Sequence, residues 1–103
     1  MLELNRDSFN ELISGPLPAL VDFWAPWCMP CKIFGPVLAN LESEFAGRVT
    51  FAKLNTDNYG DLAAKYDITS IPAVILFKNG EPVERMVGIS PRREILDMLE
   101  KHI

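Results

Sequence analysis

The stretch Trp24-Ala25-Pro26-Trp27-Cys28-Met29-Pro30-Cys31-Lys32 determines the architecture of this chain. It holds both cysteines, three positions apart, between an apolar strand-like segment and an amphipathic helix-like segment. Side chains three positions apart in the first turn of a helix point to the same side. Two such thiols, with Cα atoms about 5–6 Å apart, can form and break a disulfide with little backbone motion. The stretch therefore predicts redox chemistry.

Hydrophobic periodicity divides the rest of the chain into short strands and helices. Alternating apolar positions predict strands, and apolar positions three or four apart predict helices. In chain order we predict a short strand in 1–4, a helix over 6–13 capped by Asn5, a strand over 19–24, a helix from about Cys28 to about Phe45, a strand over 49–55, a short helix capped by Asp57 or Asn58 and ending near Tyr66, a strand over 73–78, an Asn79-Gly80 turn, a strand over 82–87, and a helix with Ser90 as N-cap and Pro91 at its first position.

This order of elements predicts an α/β fold. Strands joined through helices are expected to be parallel, and the final hairpin adds an antiparallel strand. We therefore predict one domain over residues 1–103, with three α/β/α layers and a central mixed sheet of about five strands with four helices. Pro82 places the last strand at the sheet edge, because proline has no backbone donor, and Pro36 is expected to kink its helix.

Composition excludes several classes of function. The net charge is −4, and no cluster of Lys and Arg could neutralise nucleic-acid phosphates. No apolar run has the length of a membrane span. Residues 1–6 contain no basic region ahead of an apolar one, so no secretory signal is visible. We therefore expect a monomeric protein of the cytoplasm that binds neither nucleic acid nor membrane. Thiols are kept reduced in that compartment.

The two cysteines are predicted to have different tasks. Cys28, at the helix start, lies near unpaired N–H groups and the positive end of the helix dipole, which favour a thiolate. We expect Cys28 to attack a substrate disulfide, and Cys31, one turn further in and more buried, to resolve the mixed disulfide. Pro30 restrains the backbone between them and removes one donor.

Three other interpretations of the cysteine pair are a structural disulfide, half of a zinc site, and two inert core thiols. A disulfide closing so small a loop would add little stability. Zinc needs four ligands, and the one other soft candidate is His102 near the end of the chain. Redox catalysis fits the spacing and its βαβ context better than any of these.

Two charged residues are candidates to support the exchange. Asp22 lies inside an apolar strand, where burial should raise its pKa and let it accept a proton from Cys31, through water. The alternative is a carboxyl with a structural role only. Lys53 is expected on the neighbouring strand, close enough to influence the charge of Asp22; a lysine on a solvated face is the alternative.

The chain resembles the thioredoxin family. The residues that match its W-C-x-P-C-K signature are Trp27, Cys28, Pro30, Cys31 and Lys32. The similarity extends over essentially the whole chain, through the strand 21–25, the helix proline Pro36, Lys53, the Ser70-Ile71-Pro72 loop, the 77–80 turn and Val87-Gly88.

The resemblance implies a dithiol–disulfide oxidoreductase that reduces protein disulfides in electron transport and cell redox homeostasis. It needs no cofactor beyond the Cys28–Cys31 disulfide, and a thioredoxin reductase, linked to NADPH or ferredoxin, reduces it in turn. The resemblance makes Lys53 the partner of the buried acid and the Ile71-Pro72 bond cis, although local sequence alone favours trans.

The substrate-binding candidates surround the cysteines. Trp27 is expected to be a partly exposed docking platform, and the Ile71 backbone could pair with an extended peptide. Gly88 would let a substrate backbone approach beside Val87, or it simply ends a strand. The full set of predicted substrate-binding residues is Trp27, Met29, Pro30, Ile71, Pro72, Val87 and Gly88.

Two residues depart from the family pattern. Met29 replaces the usual Gly and adds an apolar side chain at the substrate surface, and Ala73 follows Pro72 where Thr is common. Two other functions therefore remain open. The first is an oxidase or isomerase on the same scaffold, and the second is a non-catalytic subunit that binds or stabilises a partner.

Overall fold

The computed structural model describes residues 1–103, and its elements follow the predicted order. They are β1 (Leu2–Glu3), α1 (Arg6–Ile13), β2 (Ala19–Trp24), α2 (Met29–Glu42), a 3₁₀ turn (Ser43–Phe45), β3 (Thr50–Asn55), α3 (Gly60–Lys65), β4 (Ala73–Lys78), β5 (Glu81–Val87) and α4 (Arg92–His102).

The five strands form one mixed sheet in the order β1-β3-β2-β4-β5. β1, β3 and β2 are parallel, whereas β4 is antiparallel to β2 and β5 is antiparallel to β4. The expectation that every helix-linked strand is parallel is therefore wrong for β4. The six residues of α3 span about 9 Å, which is too short to return along a strand of about 20 Å. The chain instead re-enters the sheet from the end at which β3 left it.

Helices cover both faces of the sheet, as the three-layer prediction requires. Alternation along β2 divides its side chains between the two faces: Val21 and Phe23 enter one apolar cluster, and Leu20 enters the other. The first cluster includes Phe9, Ile13, Leu62 and Tyr66 of the α1 and α3 side. The second includes the predicted stripes of α2 and α4, namely Phe34, Leu38, Leu41, Phe45, Ile95, Met98 and Leu99. Asp22 therefore belongs to the face that α2 covers.

Local signals place most element ends, with two corrections. Asn5 caps α1 in a reciprocal capping box with Ser8. The N-cap of α3 is Tyr59, not Asp57 or Asn58, and it makes no side-chain capping hydrogen bond; the Asp57 carboxylate accepts the Trp27 indole N–H. At α4, the N-cap is Pro91 rather than Ser90, because Pro91 has an extended ψ of 145°.

Helix α2 begins and ends close to the prediction. Cys28 is its N-cap, and a 3₁₀ turn carries the chain on to Phe45. Pro36 lies inside this helix; the kink expected there stays a prediction. At the far edge, Pro82 lies in β5, which pairs only with β4, as its missing donor predicts.

Candidate active site

The two cysteines meet at the start of α2, where they form a disulfide. Their Cα atoms are 5.3 Å apart, within the predicted range. Cys28 has extended backbone angles and acts as the N-cap, and its Sγ accepts the backbone N–H of Cys31 at 3.2 Å. Pro30 stands in the first turn and has no N–H to offer. A negative charge on the Cys28 sulfur would therefore meet a backbone donor and the helix dipole together.

The two cysteines are equally buried, each with 4% of its surface exposed. The prediction that Cys31 is more buried than Cys28 is wrong for this disulfide-bonded form, because the bond holds both side chains in one small cluster with Ala25. Their surroundings nevertheless differ. Cys28 lies between the exposed side chains of Trp27 and Met29, whereas Cys31 lines a cavity that is open to solvent and that Asp22 also borders.

The loop before β4 lies directly against Cys28. The Ile71-Pro72 bond is cis, as the family resemblance implies and contrary to the local preference for trans. The carbonyl oxygen of Ile71 is 3.7 Å from the Cys28 Sγ. The Gly88 N–H donates to the Pro72 carbonyl at 2.8 Å, and Val87 pairs with Ala73 across the strands. The structure thus brings these predicted groove residues together at one edge of the disulfide.

Large apolar side chains surround the disulfide on its outer side. Trp27 is 70% exposed, Met29 is 63% exposed, and Ile33, one helical turn beyond Met29, is also exposed. The Trp27 indole N–H donates to the Asp57 carboxylate at 3.1 Å, which fixes the ring while leaving it accessible. The sequence interpretation took Asp57 only for a helix cap and missed this contact.

Asp22 is buried behind the disulfide, with 3% of its surface exposed. Its Oδ1 has no hydrogen-bond partner. Asp22 and Cys31 line the same cavity of about 520 Å³, together with Trp24, Lys53 and Pro36. Burial raises the pKa of Asp22 to about 7; Lys53 opposes this increase and Glu3 adds to it. The carboxyl is thus poised to exchange a proton near neutral pH.

Lys53 is the neighbour of Asp22 across the β2–β3 pair, as predicted. Its ammonium group, however, forms an ion pair with Glu3, at 3.8 Å, and lies 4.8 Å from the centre of the Trp24 ring. The Trp24 indole N–H donates to the same Glu3 carboxylate at 3.3 Å. Glu3 was missed from sequence, because a two-residue strand offers no pattern that fixes which residue it presents to Lys53.

Comparisons with known proteins agree with this geometry. The family model described as Thioredoxin matches residues 1–101. The chain belongs to the thioredoxin family. This thioredoxin-family chain is 40% identical over 103 residues to "Thioredoxin" of Staphylococcus haemolyticus (100% of this chain, 98% of the relative). It is also similar to the proteins named "Thioredoxin M-type, chloroplastic" of Spinacia oleracea (42% over 102 residues) and Pisum sativum (45% over 101 residues).

The lengths covered differ between these relatives. The chain spans 56% of the spinach protein and 59% of the pea protein, while 98% and 97% of the chain itself is matched. The family match includes the disulfide at the start of α2 and extends over almost the whole chain. None of its helices has the length and hydrophobicity needed to cross a bilayer.

Proposed function

We propose that the protein reduces disulfides of other proteins, by dithiol–disulfide exchange through Cys28 and Cys31. The observation that carries this proposal is the position of the bonded pair at the N-terminus of α2, where the Cys31 N–H donates to the Cys28 sulfur. That donor and the helix dipole favour the thiolate of Cys28, which is the nucleophilic form.

The reaction starts from the reduced dithiol. The Cys28 thiolate attacks one sulfur of a substrate disulfide; that S–S bond breaks, and the departing substrate sulfur takes up a proton. The Cys31 thiolate then attacks the Cys28 sulfur, which breaks the mixed disulfide; the second substrate sulfur leaves as a thiolate and takes up a proton. Two electrons have passed to the substrate, and the Cys28–Cys31 disulfide is left. A thioredoxin reductase returns two electrons and two protons.

Asp22 is proposed as the base that takes the proton from Cys31 as that thiol attacks. Both residues border one cavity, which has room for a bridging water. A carboxyl with a pKa of about 7 accepts and releases a proton readily at neutral pH. Lys53 is proposed to modulate the charge of Asp22 from the neighbouring strand.

The substrate groove is proposed to run across the outer side of the disulfide. The carbonyl oxygen of Ile71, just before cis-Pro72, lies 3.7 Å from the reacting sulfur, where the backbone of an extended substrate peptide could pair with it. Trp27 and Met29 supply exposed apolar area beside it, with Pro30 between them and Cys31. Gly88, next to Val87, has nothing within 4 Å of the position its Cβ would take, so a substrate backbone has room there.

Partners and compartment follow from this activity. We propose a thioredoxin reductase and disulfide-containing proteins as partners, no nucleic acid or membrane among them, no cofactor beyond the disulfide, and a monomeric, single-domain chain. The cytoplasm is the proposed compartment, because a disulfide reductase needs reducing surroundings. The names of the spinach and pea relatives make the chloroplast the second candidate.

Trapping the mixed disulfide tests the exchange mechanism. In the reduced Cys31→Ser variant, Cys28 can attack a protein disulfide but nothing resolves the product, so a covalent adduct should accumulate on non-reducing gels. The matched control is Cys28→Ser/Cys31→Ser, which should form none. Absence of adducts with Cys31→Ser, or alkylation of Cys28 as slow as that of free cysteine at pH 7, would contradict the mechanism.

The direction of electron flow needs a separate measurement. Equilibration of the Cys28–Cys31 pair with glutathione should give a strongly reducing potential, and turnover of a protein disulfide should follow addition of an NADPH-linked or a ferredoxin-linked thioredoxin reductase. A strongly oxidising potential would favour the oxidase or isomerase alternative. If a partner's function survived loss of both cysteines, the chain would instead act as a binding subunit.

A further inference from the structure

Glu3 makes two contacts beside the buried acid that the proposed mechanism does not use. One carboxylate oxygen forms an ion pair with the Lys53 ammonium at 3.8 Å, and the other accepts the Trp24 indole N–H at 3.3 Å. Lys53 in turn lies over the Trp24 ring at 4.8 Å. The three side chains therefore form a closed triangle across β1, β3 and β2.

The strand register places this triangle next to Asp22. Glu3 is paired with Lys53 in the β1–β3 ladder, and Lys53 is paired with Asp22 in the β2–β3 ladder. Lys53 thus lies between two carboxylates: Glu3, which is half exposed, and Asp22, which is almost fully buried. Its ammonium lies within 4 Å of Glu3 and makes no ion pair with Asp22.

Other charged or titratable groups around Asp22 come from α2 and the start of the chain. Cys31 and Lys32 of α2 and the Met1 residue line the same cavity. The N-terminal ammonium of Met1 forms an ion pair with the Glu42 carboxylate at 3.3 Å. Among these charged groups, Lys53 and Glu3 are the two whose charges act on the pKa of Asp22, in opposite directions.

We propose that Glu3 is a positioning residue that holds Lys53 over Trp24 and so leaves Asp22 without an ion-pair partner. The inference rests on the proposed role of Asp22 as the proton acceptor. Held in this way, Lys53 cannot fix Asp22 in its charged form, and the carboxyl keeps the ability to take a proton from Cys31. The negative charge of Glu3 acts on Asp22 in the same direction.

Replacing Glu3 by Gln removes both effects and keeps the size of the side chain. Lys53 is then free to turn towards Asp22, and an opposite charge within about 4–6 Å favours the ionised carboxyl. We expect the titration midpoint of Asp22, followed by its side-chain ¹³C carboxyl resonance in the oxidised protein, to fall by about 1 pH unit. The pH profile of the reduction rate should move to lower pH with it.

Two further variants separate positioning from simple charge removal. Glu81→Gln removes one negative charge from β5, at the opposite edge of the sheet, and should leave the midpoint unchanged. In a Lys53→Met background, Glu3→Gln can act only by removing its own repulsion, so the shift should be clearly smaller. The difference between the two Glu3→Gln shifts measures the part that passes through Lys53.

Each outcome decides the question. An unchanged or raised Asp22 midpoint in Glu3→Gln would overturn the inference, and an equal shift with and without Lys53 would overturn the positioning role in favour of direct repulsion. The proposed role of Asp22 fails independently if Asp22→Asn leaves the pH profile of the reduction rate unchanged, and the proposed function fails independently if Cys31→Ser traps no adduct. The NMR titration of the Asp22 carboxyl still tests the positioning role of Glu3 in that case, because the titration does not depend on turnover.

Discussion

Replacing the buried Asp22 with Asn should stabilise the protein, and the gain should grow with pH. The carboxyl has an ordinary pKa of 3.8, and in the folded protein burial raises this pKa to about 7. Between these two values the folded state binds more protons than the unfolded chain, so stability falls as the pH rises. Burial of the ionised Asp22 carboxylate therefore lowers the free energy of unfolding. This loss is absent below about pH 4 and complete above about pH 7.

The size of the effect follows from the two pKa values. Their difference of about 3 pH units corresponds to about 4 kcal/mol above pH 7 and about 1.5 kcal/mol at pH 5. Asparagine keeps the shape of the side chain and carries no charge, so its own buried amide adds a penalty that does not change with pH. The stability gap between Asp22→Asn and the parent protein should therefore widen by about 2–3 kcal/mol from pH 5 to pH 8.

Urea unfolding of the oxidised protein at a series of pH values measures this gap. Asp97→Asn is the matched control, because Asp97 is exposed on α4, in an ion pair with Arg93. Such surface pairs contribute little, and the control should follow the parent within about 1 kcal/mol at every pH. A gap for Asp22→Asn that stays constant between pH 5 and pH 8 would refute a raised pKa for this carboxyl.

Two further substitutions test the core and the groove. Phe9→Ala should lower the free energy of unfolding by about 3–5 kcal/mol. The ring is fully buried and packs edge-on against Phe77, with ring centroids 5.6 Å apart. A loss below about 1 kcal/mol in urea unfolding would contradict this packing. Gly88→Ala should lower the free energy of unfolding by about 1–2 kcal/mol, because Gly88 has a left-handed backbone with φ of +85°. The new methyl group would have no neighbour within 4 Å. The variant should raise KM for a protein disulfide but not for a small-molecule disulfide. An unchanged KM for the protein substrate would place Gly88 outside the groove.

Sequence predicted the parts of the fold that depend on local periodicity. Asp22 stands out as a charge in an apolar strand, and alternation along that strand already places it on the same face as Leu20. The direction of β4 could not be predicted in this way. It depends on the length of α3, and the breaks around that six-residue helix are too weak a signal to fix its bounds.

In the site, too, features set by neighbouring residues could be predicted from the sequence, whereas features set by contacts between distant segments could not. The spacing of Cys28 and Cys31 fixes their geometry, because both belong to a single helical turn. The cis bond before Pro72 opposes the local preference and was expected only through family resemblance. The ion pair between Glu3 and Lys53 depends on the register of a two-residue strand, which the sequence around it does not specify.

The order of strands has a consequence for how the molecule responds to heat. β2, which carries Asp22 and leads into Cys28, is bordered on both sides by paired strands and above and below by apolar clusters. Segments of this kind exchange their amide protons only when the whole molecule opens, whereas edge segments such as β5 open singly. On warming, β5 should therefore open first while β2, behind the disulfide, keeps its hydrogen bonds. β2 should lose them only when the whole protein unfolds cooperatively.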